Sequence, residues 1–592
     1  MNIELIVWGP YPTTISEIIG ETVGVVRGTD YAMGIQALET IGAIEMEEGL
    51  PHPMIDGEWG KKIPSASAAY LIMGFGEEDI EEALAMTKKA GLRYLYHPGP
   101  FESWGHFKLN EKQFPSGVKG LRHCVEKAKT LGIMLGVHTL SNFITTNDPY
   151  VTPVPDKRLA KVGASIITTD ISQNQIEIPI ESPEFFNQFN NNHLRTVVIG
   201  DELIRYGGVS EEAPWRLLDC QRGAYGTVLS PHKNGEKIGK LADHAYKVFL
   251  TNPDLSSEVS KNIANLFNQT GLRQISFDGL EGNRSTGMGN YGEVLFTQTW
   301  YNHLNENIKQ HYIADASRTS HYFWHMYTRM NWGEPWYAGF RESQTEYRLK
   351  NQKYFKRNLM PGMLGWFKMT PETSIEDIEW MLARSAAFNA GYAFVTGYET
   401  LAENNHSENI LKLLGQWEKA RMSGAFSEEQ KRRMEDIKNE FHLETINKNE
   451  WKLYQVFSYK FKHEKKEMQP GEPNHSIFTF ENLTTEQTMN FILTAVDGDM
   501  ENVRMEIDND KKLFIPMAMK AGETIKYNGG DRAKIYNKNW KELRGVNIDA
   551  SALTISKGEH HITFDCKFLG GNESQVKLEV RLIRPAEIVK AN

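Results

Sequence analysis

Asp278 directly follows a short strand-like run, residues 274–277, Glu281 lies three residues further on, and each of these two carboxylates is followed by a glycine. Parallel barrels present their catalytic groups at the carboxyl ends of their strands. Paired acids are the groups that usually hydrolyse a glycosidic bond, one as nucleophile or base and the other as proton donor. The pattern therefore predicts glycosidic chemistry with Asp278 as nucleophile or base.

The two carboxylates are not equivalent in position. Asp278 follows Phe277 where a strand should end, and Gly279 leaves its carboxylate uncrowded. The competing interpretation is an Asp that caps the next helix or turn, because Asp is a favoured capping residue. Glu281 lies three residues further on, in the loop, and could be a partner acid, a substrate hydrogen-bonder or an ordinary loop carboxylate.

A second acid is needed as proton donor, and three residues are candidates for it. Glu334 ranks first, because it lies in a loop between Trp332 and Trp336, and nearby apolar surface raises the pKa of a general acid. Asp315 ends the next predicted strand, and Glu281 is the third candidate.

Aromatic, basic and imidazole side chains follow several of the predicted strands and could bind a sugar. Ligand pockets combine apolar walls with a few polar anchors. For any one of these residues core packing is the alternative explanation. The predicted substrate-binding residues are His97, Trp104, His138, Arg318, Trp332, Trp336, Arg341 and Trp366.

His97, His138 and Asp278 could also suggest a metal site, but their spacing matches no metal-ligand signature. The glycines of residues 222–227 lack the Lys-Ser/Thr ending of a phosphate-binding loop. The sequence therefore predicts neither a metal nor another cofactor.

Strand-like and helical segments alternate from residue 68 onward, which is typical of a parallel α/β fold. Eight strands can be counted, and they predict a (β/α)8 barrel. The predicted strands are Ala69–Met73, Leu92–Tyr96, Ile133–His138, Gln274–Asp278, Tyr312–Asp315, Phe323–Tyr327, Met363–Phe367 and Tyr392–Thr396. The predicted helices are Glu77–Ala90, Gly117–Leu131, Ser256–Thr270, Glu293–Gln310 and Ile375–Asn389.

Three other regions depart from this alternation. Residues 1–62 predict an N-terminal extension, and residues 63–445 the barrel. Short β-type runs predict a β-rich insertion in the barrel at about residues 147–232. Alternating apolar and polar residues over 446–592 predict a C-terminal antiparallel β-sandwich.

Composition excludes several classes of protein. A net charge of -10 over 592 residues, with basic residues scattered, gives no footprint for nucleic acid. Three widely spaced cysteines form no disulfide framework, and no apolar run approaches the roughly 20 residues of a membrane span. A soluble protein is expected, while its compartment and oligomeric state stay open.

The early barrel units resemble those of glycoside hydrolases of the α-galactosidase clan. The similarity lies in residues 91–96, 114–121 and 132–138, and it extends to the barrel portion, residues 68–400. The resemblance implies that the fourth strand ends in the nucleophile, here Asp278, and that the acid follows the sixth strand, which favours Glu334. The lysine usual in the clan shortly before the nucleophile is absent, because Gln274 and Ser276 occupy those places.

The sequence as a whole therefore predicts a glycoside hydrolase that acts on an oligo- or polysaccharide. A polysaccharide lyase is the first alternative, in which His97, His138 and Arg318 would matter more than paired acids. A non-catalytic carbohydrate-binding protein is the second. Linkage, stereochemistry and endo or exo action are left open.

Overall fold

The structure is a computed structural model that describes residues 31–188, 192–316, 322–330, 340–341, 348–467, 469, 472, 474–571 and 573–592. The chain divides into two compact units. The first falls within residues 1–87, 93–333 and 351–365, and the second within 88–92, 334–350 and 366–592. The boundaries predicted at residues 62 and 445 stay a prediction.

A seven-stranded sheet forms the barrel in the described part of the chain. Its strands are β1 (Tyr70–Ile72), β2 (Tyr94–His97), β3 (Met134–Leu140), β4 (Gln274–Asp278), β5 (Ile313–Ala316), β6 (Met363–Lys368) and β7 (Gly391–Val395). The hydrogen-bonded order is β5-β4-β3-β2-β1-β7-β6, and the pairs from β1 to β5 are parallel. Because this is the cyclic order of a β/α barrel, the predicted fold class is confirmed.

Helices follow the strands of this sheet, as the sequence predicts. They are Ile80–Lys89, Val118–Thr130, Pro253–Thr270, Asn290–His303, Glu306–Lys309, Arg348–Arg357, Ile375–Phe388, Tyr398–Glu403, Ser407–Met422 and Glu428–Glu435. A further helix, Tyr31–Glu47, lies in the predicted N-terminal extension. No helix of the described ranges is both long enough and apolar enough to cross a bilayer.

The helix that leads into β4 shows how the sequence sets its ends. The Asn252 side chain accepts a hydrogen bond from the Leu255 backbone N–H, and Pro253 occupies the first helical position. Both are signals of a helix N-terminus. Gly271 ends the helix with φ +83, a left-handed conformation that glycine adopts without strain.

The predicted sixth strand is wrong, because residues Phe323–Met326 form a short helix. A short, mostly apolar run fits a buried helix as well as a buried strand, so its periodicity did not distinguish the two. The chain nevertheless reaches the sheet edge directly afterwards, where the Thr328 N–H donates to the Ala314 carbonyl of β5 at 3.0 Å. The predicted helix over 293–310 is likewise divided in two, Asn290–His303 and Glu306–Lys309.

The β-rich insertion lies between β3 and β4 and has a buried cluster of its own, which includes Ile178, Val197, Leu217 and Ile238. A four-stranded and a three-stranded sheet supply that cluster. The strands of the insertion are Lys161–Ile166, Ile178–Pro179, Thr196–Ile199, Glu202–Arg205, Gly208–Val209, Arg216–Leu218, Lys237–Leu241, Asp243–His244 and Val248–Phe249. The last two form a separate hairpin that precedes the helix into β4.

The C-terminal region is antiparallel and β-rich, as predicted. Its main strands are Glu440–Asn447, Glu450–Glu464, Ser476–Asn482, Asn490–Asp497, Met500–Ile507, Lys511–Met519, Thr524–Tyr527, Arg532–Tyr536, Glu542–Asn547, Gly558–Phe568, Gln575–Ile583 and Glu587–Lys590. Two sheets share one buried cluster, to which Phe491 and Leu578 contribute from one sheet and Met505 and Phe564 from the other. A sandwich has such a core between its sheets.

Candidate active site

Asp278 is the last residue of β4 and its side chain is 25% exposed. The backbone N–H and the hydroxyl of Ser141, just after β3, both donate to the Asp278 carbonyl, at 3.0 and 2.8 Å. The Gly279 N–H donates to Asp278 Oδ1 at 2.8 Å. These bonds fix the end of β4 and leave a partly solvent-facing carboxylate at the C-terminal face of the barrel.

The two glycines after Asp278 are needed for packing against Phe143. Gly279 has φ +66, and a methyl group in place of its hydrogen would come within 2.9 Å of the Phe143 ring. At Gly282 the corresponding distance is 2.4 Å. Phe143 is fully buried, so its ring has little room to move aside. The turn after Asp278 is therefore shaped by a close backbone approach to one aromatic ring.

We expect Gly279→Ala to destabilise the protein by about 2 to 3 kcal/mol, through left-handed strain and the clash with Phe143. Gly287→Ala is the matched control, because Gly287 has φ +78 with nothing within 4 Å of the added methyl. Gly287→Ala should lower the free energy of unfolding by only about 1 kcal/mol. Urea unfolding of both variants measures the difference, and equal losses would contradict the close packing described here.

His138 lies next to Asp278, with 3.7 Å between His138 Nε2 and Asp278 Oδ2. It lies on β3 opposite Ser276 of β4. Burial lowers the pKa of His138 below its usual range, although the Asp278 carboxylate acts in the opposite direction. His138 is therefore neutral near neutral pH and carries one ring N–H as a potential donor.

His97, at the end of β2, is a second neutral imidazole of the barrel. Burial lowers its pKa to about 4, and the proximity of His138 acts in the same direction. The Gly99 N–H donates to His97 Nδ1 at 3.0 Å, which leaves the proton on Nε2. His97 also packs edge-on against Phe75 at 4.9 Å between ring centroids. The structure thus places His97 in the barrel interior, 2% exposed.

Asp315, predicted as a possible acid, lies in the barrel interior and is 1% exposed. Its carboxylate accepts hydrogen bonds from the Ser276 hydroxyl and, at 3.1 Å, from Arg329 Nε. Burial raises the pKa of Asp315 above its usual range, against the opposing effects of Arg329 and Ser276. The bonds of Asp315 to Ser276 and Arg329 connect β4, β5 and the segment after the short helix. The sequence did not indicate this structural role.

Arg329 completes this internal polar cluster and is fully buried. One of its terminal nitrogens donates to the Ala68 carbonyl at 2.7 Å, and its guanidinium lies 4.7 Å from the centre of the Tyr70 ring. The sequence pattern gave Arg329 no function, because a buried arginine has no signature in periodicity.

Glu281 is half-exposed in the turn after β4, where residues Leu280–Thr286 form a short 3-10 helix. Its Oε1 lies 3.8 Å from His244 Nε2. His244 and Tyr246 belong to the hairpin of the insertion and were not predicted as site residues. The sequence signal that could have identified them is a run of polar and aromatic residues shortly before the helix that leads into β4.

Trp104 lies on the same side of the first unit as Phe143. It is half-buried and packs against a cluster that includes Leu140, Phe143 and Leu250. Two hydrogen bonds to Thr145 hold its backbone, both at 3.1 Å. The structure therefore places His138 on β3, Asp278 at the end of β4 and Glu281 in the turn after it, and it holds Trp104, from the loop after β2, against the loop after β3.

Two predicted binding residues belong to the second unit. Trp366 lies half-exposed on β6, and its carbonyl accepts a hydrogen bond from Arg348. Arg341 donates to Asp377 at 2.6 Å and to Glu440 at 2.7 Å, and it lies over the Trp380 ring. These contacts give Arg341 a structural function within its unit.

Glu440 is the centre of the Arg341 ion-pair cluster and gives a pH prediction. Burial opposes its ionisation, but Arg581, Arg341 and Lys460 hold the pKa of Glu440 well below its usual range. A carboxylate with a lowered pKa stabilises the fold above its unfolded pKa, about 4.3, and this contribution is lost as the pH falls below that value.

Glu440→Gln should therefore destabilise the second unit clearly at about pH 7 and progressively less toward about pH 3. Urea unfolding across that range measures the difference between wild type and variant. Glu444→Gln is the control, since Glu444 lies on the same strand and is 51% exposed. A difference for Glu440→Gln that does not change with pH would contradict this electrostatic interpretation.

Four predicted residues lie outside the described residues, namely Glu334, Arg318, Trp332 and Trp336. Their roles stay predictions. Among the residues that the structure does describe, no group of three or more His, Cys, Asp or Glu side chains is placed to hold a metal ion.

No protein-family model and no curated protein matches the sequence. Among solved structures, the chain is similar to an isomaltulose synthase from a Klebsiella species, with 8% identity, a TM-score of 0.36, and 84% of this chain and 99% of that chain covered. A maltogenic alpha-amylase from Thermotoga neapolitana matches with 8% identity, a TM-score of 0.35, and coverage of 84% and 99%. For an isomalto-dextranase from Arthrobacter globiformis the values are 9%, 0.34, 90% and 99%. At these TM-scores the similarity is remote, so the function has to be argued from the residues of the site.

Proposed function

We propose that this chain is a glycoside hydrolase with a barrel that resembles the α-galactosidase clan, with Asp278 as nucleophile or base and Glu334 as general acid. The observation that carries the proposal is the position of Asp278. Its carboxylate is partly exposed at the carboxyl end of a central parallel strand, while the neighbouring Asp315 is buried in an ion pair. Catalytic groups of barrel enzymes occupy that end of the strands.

The surroundings of Asp278 support a saccharide as substrate. Trp104, in the loop after β2, supplies a half-buried aromatic ring, and His138, on β3, supplies a polar group that can bond a hydroxyl. A sugar ring has one apolar face and several hydroxyls, so it requires both kinds of contact. Saccharide sites share this combination with other small-molecule pockets.

In the proposed reaction two carboxyl groups have different catalytic roles. Asp278 attacks the anomeric carbon, or deprotonates the water that does so, while Glu334 protonates the departing oxygen. Retention of configuration needs the two carboxyl groups roughly 5 Å apart, and inversion needs roughly 6.5 to 9.5 Å. A neutral His138 next to Asp278 adds no positive charge that would neutralise the carboxylate, and the 3.7 Å between Nε2 and Oδ2 is longer than a hydrogen bond.

A substrate screen tests this proposal. The purified full-length protein is incubated with a panel of plant, algal and host glycans, and new reducing ends are measured. The proposal expects new reducing ends from at least one glycan, and the Asp278→Asn variant should release none above background. No release from any glycan by the wild type would contradict it, and glycan binding without turnover would favour a non-catalytic carbohydrate-binding protein.

One observation favours a second candidate, a polysaccharide lyase that acts on uronate-containing glycans. A neutral imidazole, that of His138, lies 3.7 Å from the Asp278 carboxylate, and a neutral imidazole next to an acid can act as a base. In elimination the product is an unsaturated uronide, whose ultraviolet absorbance the same screen detects. Hydrolysis gives no such absorbance.

A further inference from the structure

The β-rich insertion ends in a small hairpin that presents an exposed aromatic ring. Asp243–His244 pairs with Val248–Phe249, and Tyr246 lies in the turn between them. Tyr246 is 57% exposed. An exposed ring of this size on a short turn is available to a ligand from solvent.

Contacts with Phe143 fix this hairpin relative to the turn that follows Asp278. The Phe143 ring lies 4.6 Å from the His244 ring and 5.9 Å from the Tyr246 ring, measured between centroids. Phe143 is itself the ring that approaches Gly279 and Gly282. The tip of the insertion and the end of β4 therefore share one buried aromatic side chain.

A pair of polar groups lies between the hairpin and the turn. His244 Nε2 and Glu281 Oε1 are 3.8 Å apart, which is too long for a hydrogen bond between them. Burial lowers the pKa of His244, against the effect of Glu281, so the ring is neutral near neutral pH. The Tyr246 N–H donates to His244 Nδ1 at 3.4 Å, which leaves the proton on Nε2. A hydroxyl between the two groups could accept from His244 and donate to Glu281.

We infer that the hairpin over residues 243–249 is a saccharide subsite for a sugar that flanks the one held over Asp278. Tyr246 supplies a flat apolar face for the sugar ring, and His244 and Glu281 bond one of its hydroxyls. The inference rests on the proposed function and extends it to substrate length. It also gives Glu281 a binding role instead of an acid role.

The proposed subsite gives the insertion a function in substrate binding. The hairpin is part of the segment between β3 and β4 and lies outside the barrel strands, while Asp278 belongs to the barrel. The proposed subsite therefore holds a second sugar of the glycan, next to the one over Asp278. The insertion therefore selects substrates of at least two sugars.

Two substrates of different length test the subsite. The first is the oligosaccharide that the wild type hydrolyses fastest in the glycan screen, and the second is the fluoride of its terminal sugar, which is too short to reach Tyr246. Tyr246→Ala should lower kcat/KM for the oligosaccharide roughly tenfold, mainly through KM, and leave fluoride hydrolysis unchanged. Tyr246→Phe, which keeps the ring, should stay near the wild type.

Phe514→Ala is the matched control, because Phe514 is an aromatic residue of the second unit that is 50% exposed. It should leave both substrates unaffected. Unchanged oligosaccharide hydrolysis by Tyr246→Ala would overturn the subsite while leaving the proposed function intact. Equal losses on both substrates would also overturn it. A wild type that hydrolyses neither substrate would overturn the proposed function as well.

Discussion

Replacement of Asp278 by Asn is expected to lower kcat by roughly 10³-fold or more, about 4 kcal/mol of transition-state stabilisation. The amide oxygen can still accept the hydrogen bond that the Gly279 N–H donates to Asp278 Oδ1. The fold should therefore survive, while the negative charge that attacks the anomeric carbon, or activates water, is lost. Steady-state kinetics on the best glycan of the screen measure the effect.

Glu281→Gln is the matched control for that prediction, since the two carboxylates lie three residues apart and are both partly exposed. Because Glu281 is assigned a binding role, its replacement should lower kcat/KM by at most about tenfold. Near-normal turnover by Asp278→Asn, together with a large loss in Glu281→Gln, would transfer the central role to Glu281. Circular dichroism of both variants verifies that they are folded.

Asp315→Leu should destabilise the first unit by about 3 to 5 kcal/mol, the usual cost of breaking a buried ion pair from one side. The variant leaves Arg329 fully buried without its carboxylate, and an arginine cannot shed its charge. Urea unfolding of the variant and the wild type measures the loss. A loss below about 1 kcal/mol would contradict the buried pair.

The reverse variant, Arg329→Met, should be less harmful and more dependent on pH. It leaves Asp315, whose pKa burial already raises, and a raised pKa favours the folded state as the pH falls. The cost of Arg329→Met should therefore shrink from about pH 7 to about pH 5. Lys233→Ala is the control, because Lys233 pairs with Asp170 at 2.8 Å on the surface, where such pairs contribute little to stability.

Much of the barrel could be predicted from the sequence because its strands and helices have clear local signals. The apolar run into Asp278, stopped by Gly279, predicted β4 to the residue at its carboxyl end. Gly91 and Gly132, both with positive φ, ended predicted helices before β2 and β3. The alternating pattern of the C-terminal region predicted its antiparallel strands for the same reason, since period-two burial is a local property.

The features that failed or were missed depend on contacts distant in sequence. The Phe323–Met326 run is mostly apolar and three of its four side chains are buried, so only its packing decided between helix and strand. The burial of Asp315 depends on Arg329 and Ser276, from other segments of the chain. Sequence position alone suggested that every acid at a strand end faces solvent, and Asp315 does not.

The hairpin residues were missed for a related reason. His244 and Tyr246 lie after residue 232, where the predicted insertion ended, and neither was predicted to lie near Asp278. Both residues contact Phe143, which packs against the turn after Asp278. Phe143 lies 135 positions before Asp278 in the sequence. No periodicity reports a contact of that kind.

Hydrolysis of a glycosyl fluoride by the wild type, Glu334→Gln and Asp278→Asn tests the role of Asp278 most directly. Fluoride leaves without protonation, so the measurement separates the carboxylate that attacks or activates water from the acid. With the fluoride of the sugar identified in the screen, the wild type should release fluoride ion and Glu334→Gln should retain most of that rate. Asp278→Asn should lose roughly 10³-fold. Fluoride release by Asp278→Asn at the wild-type rate would contradict the assignment of Asp278.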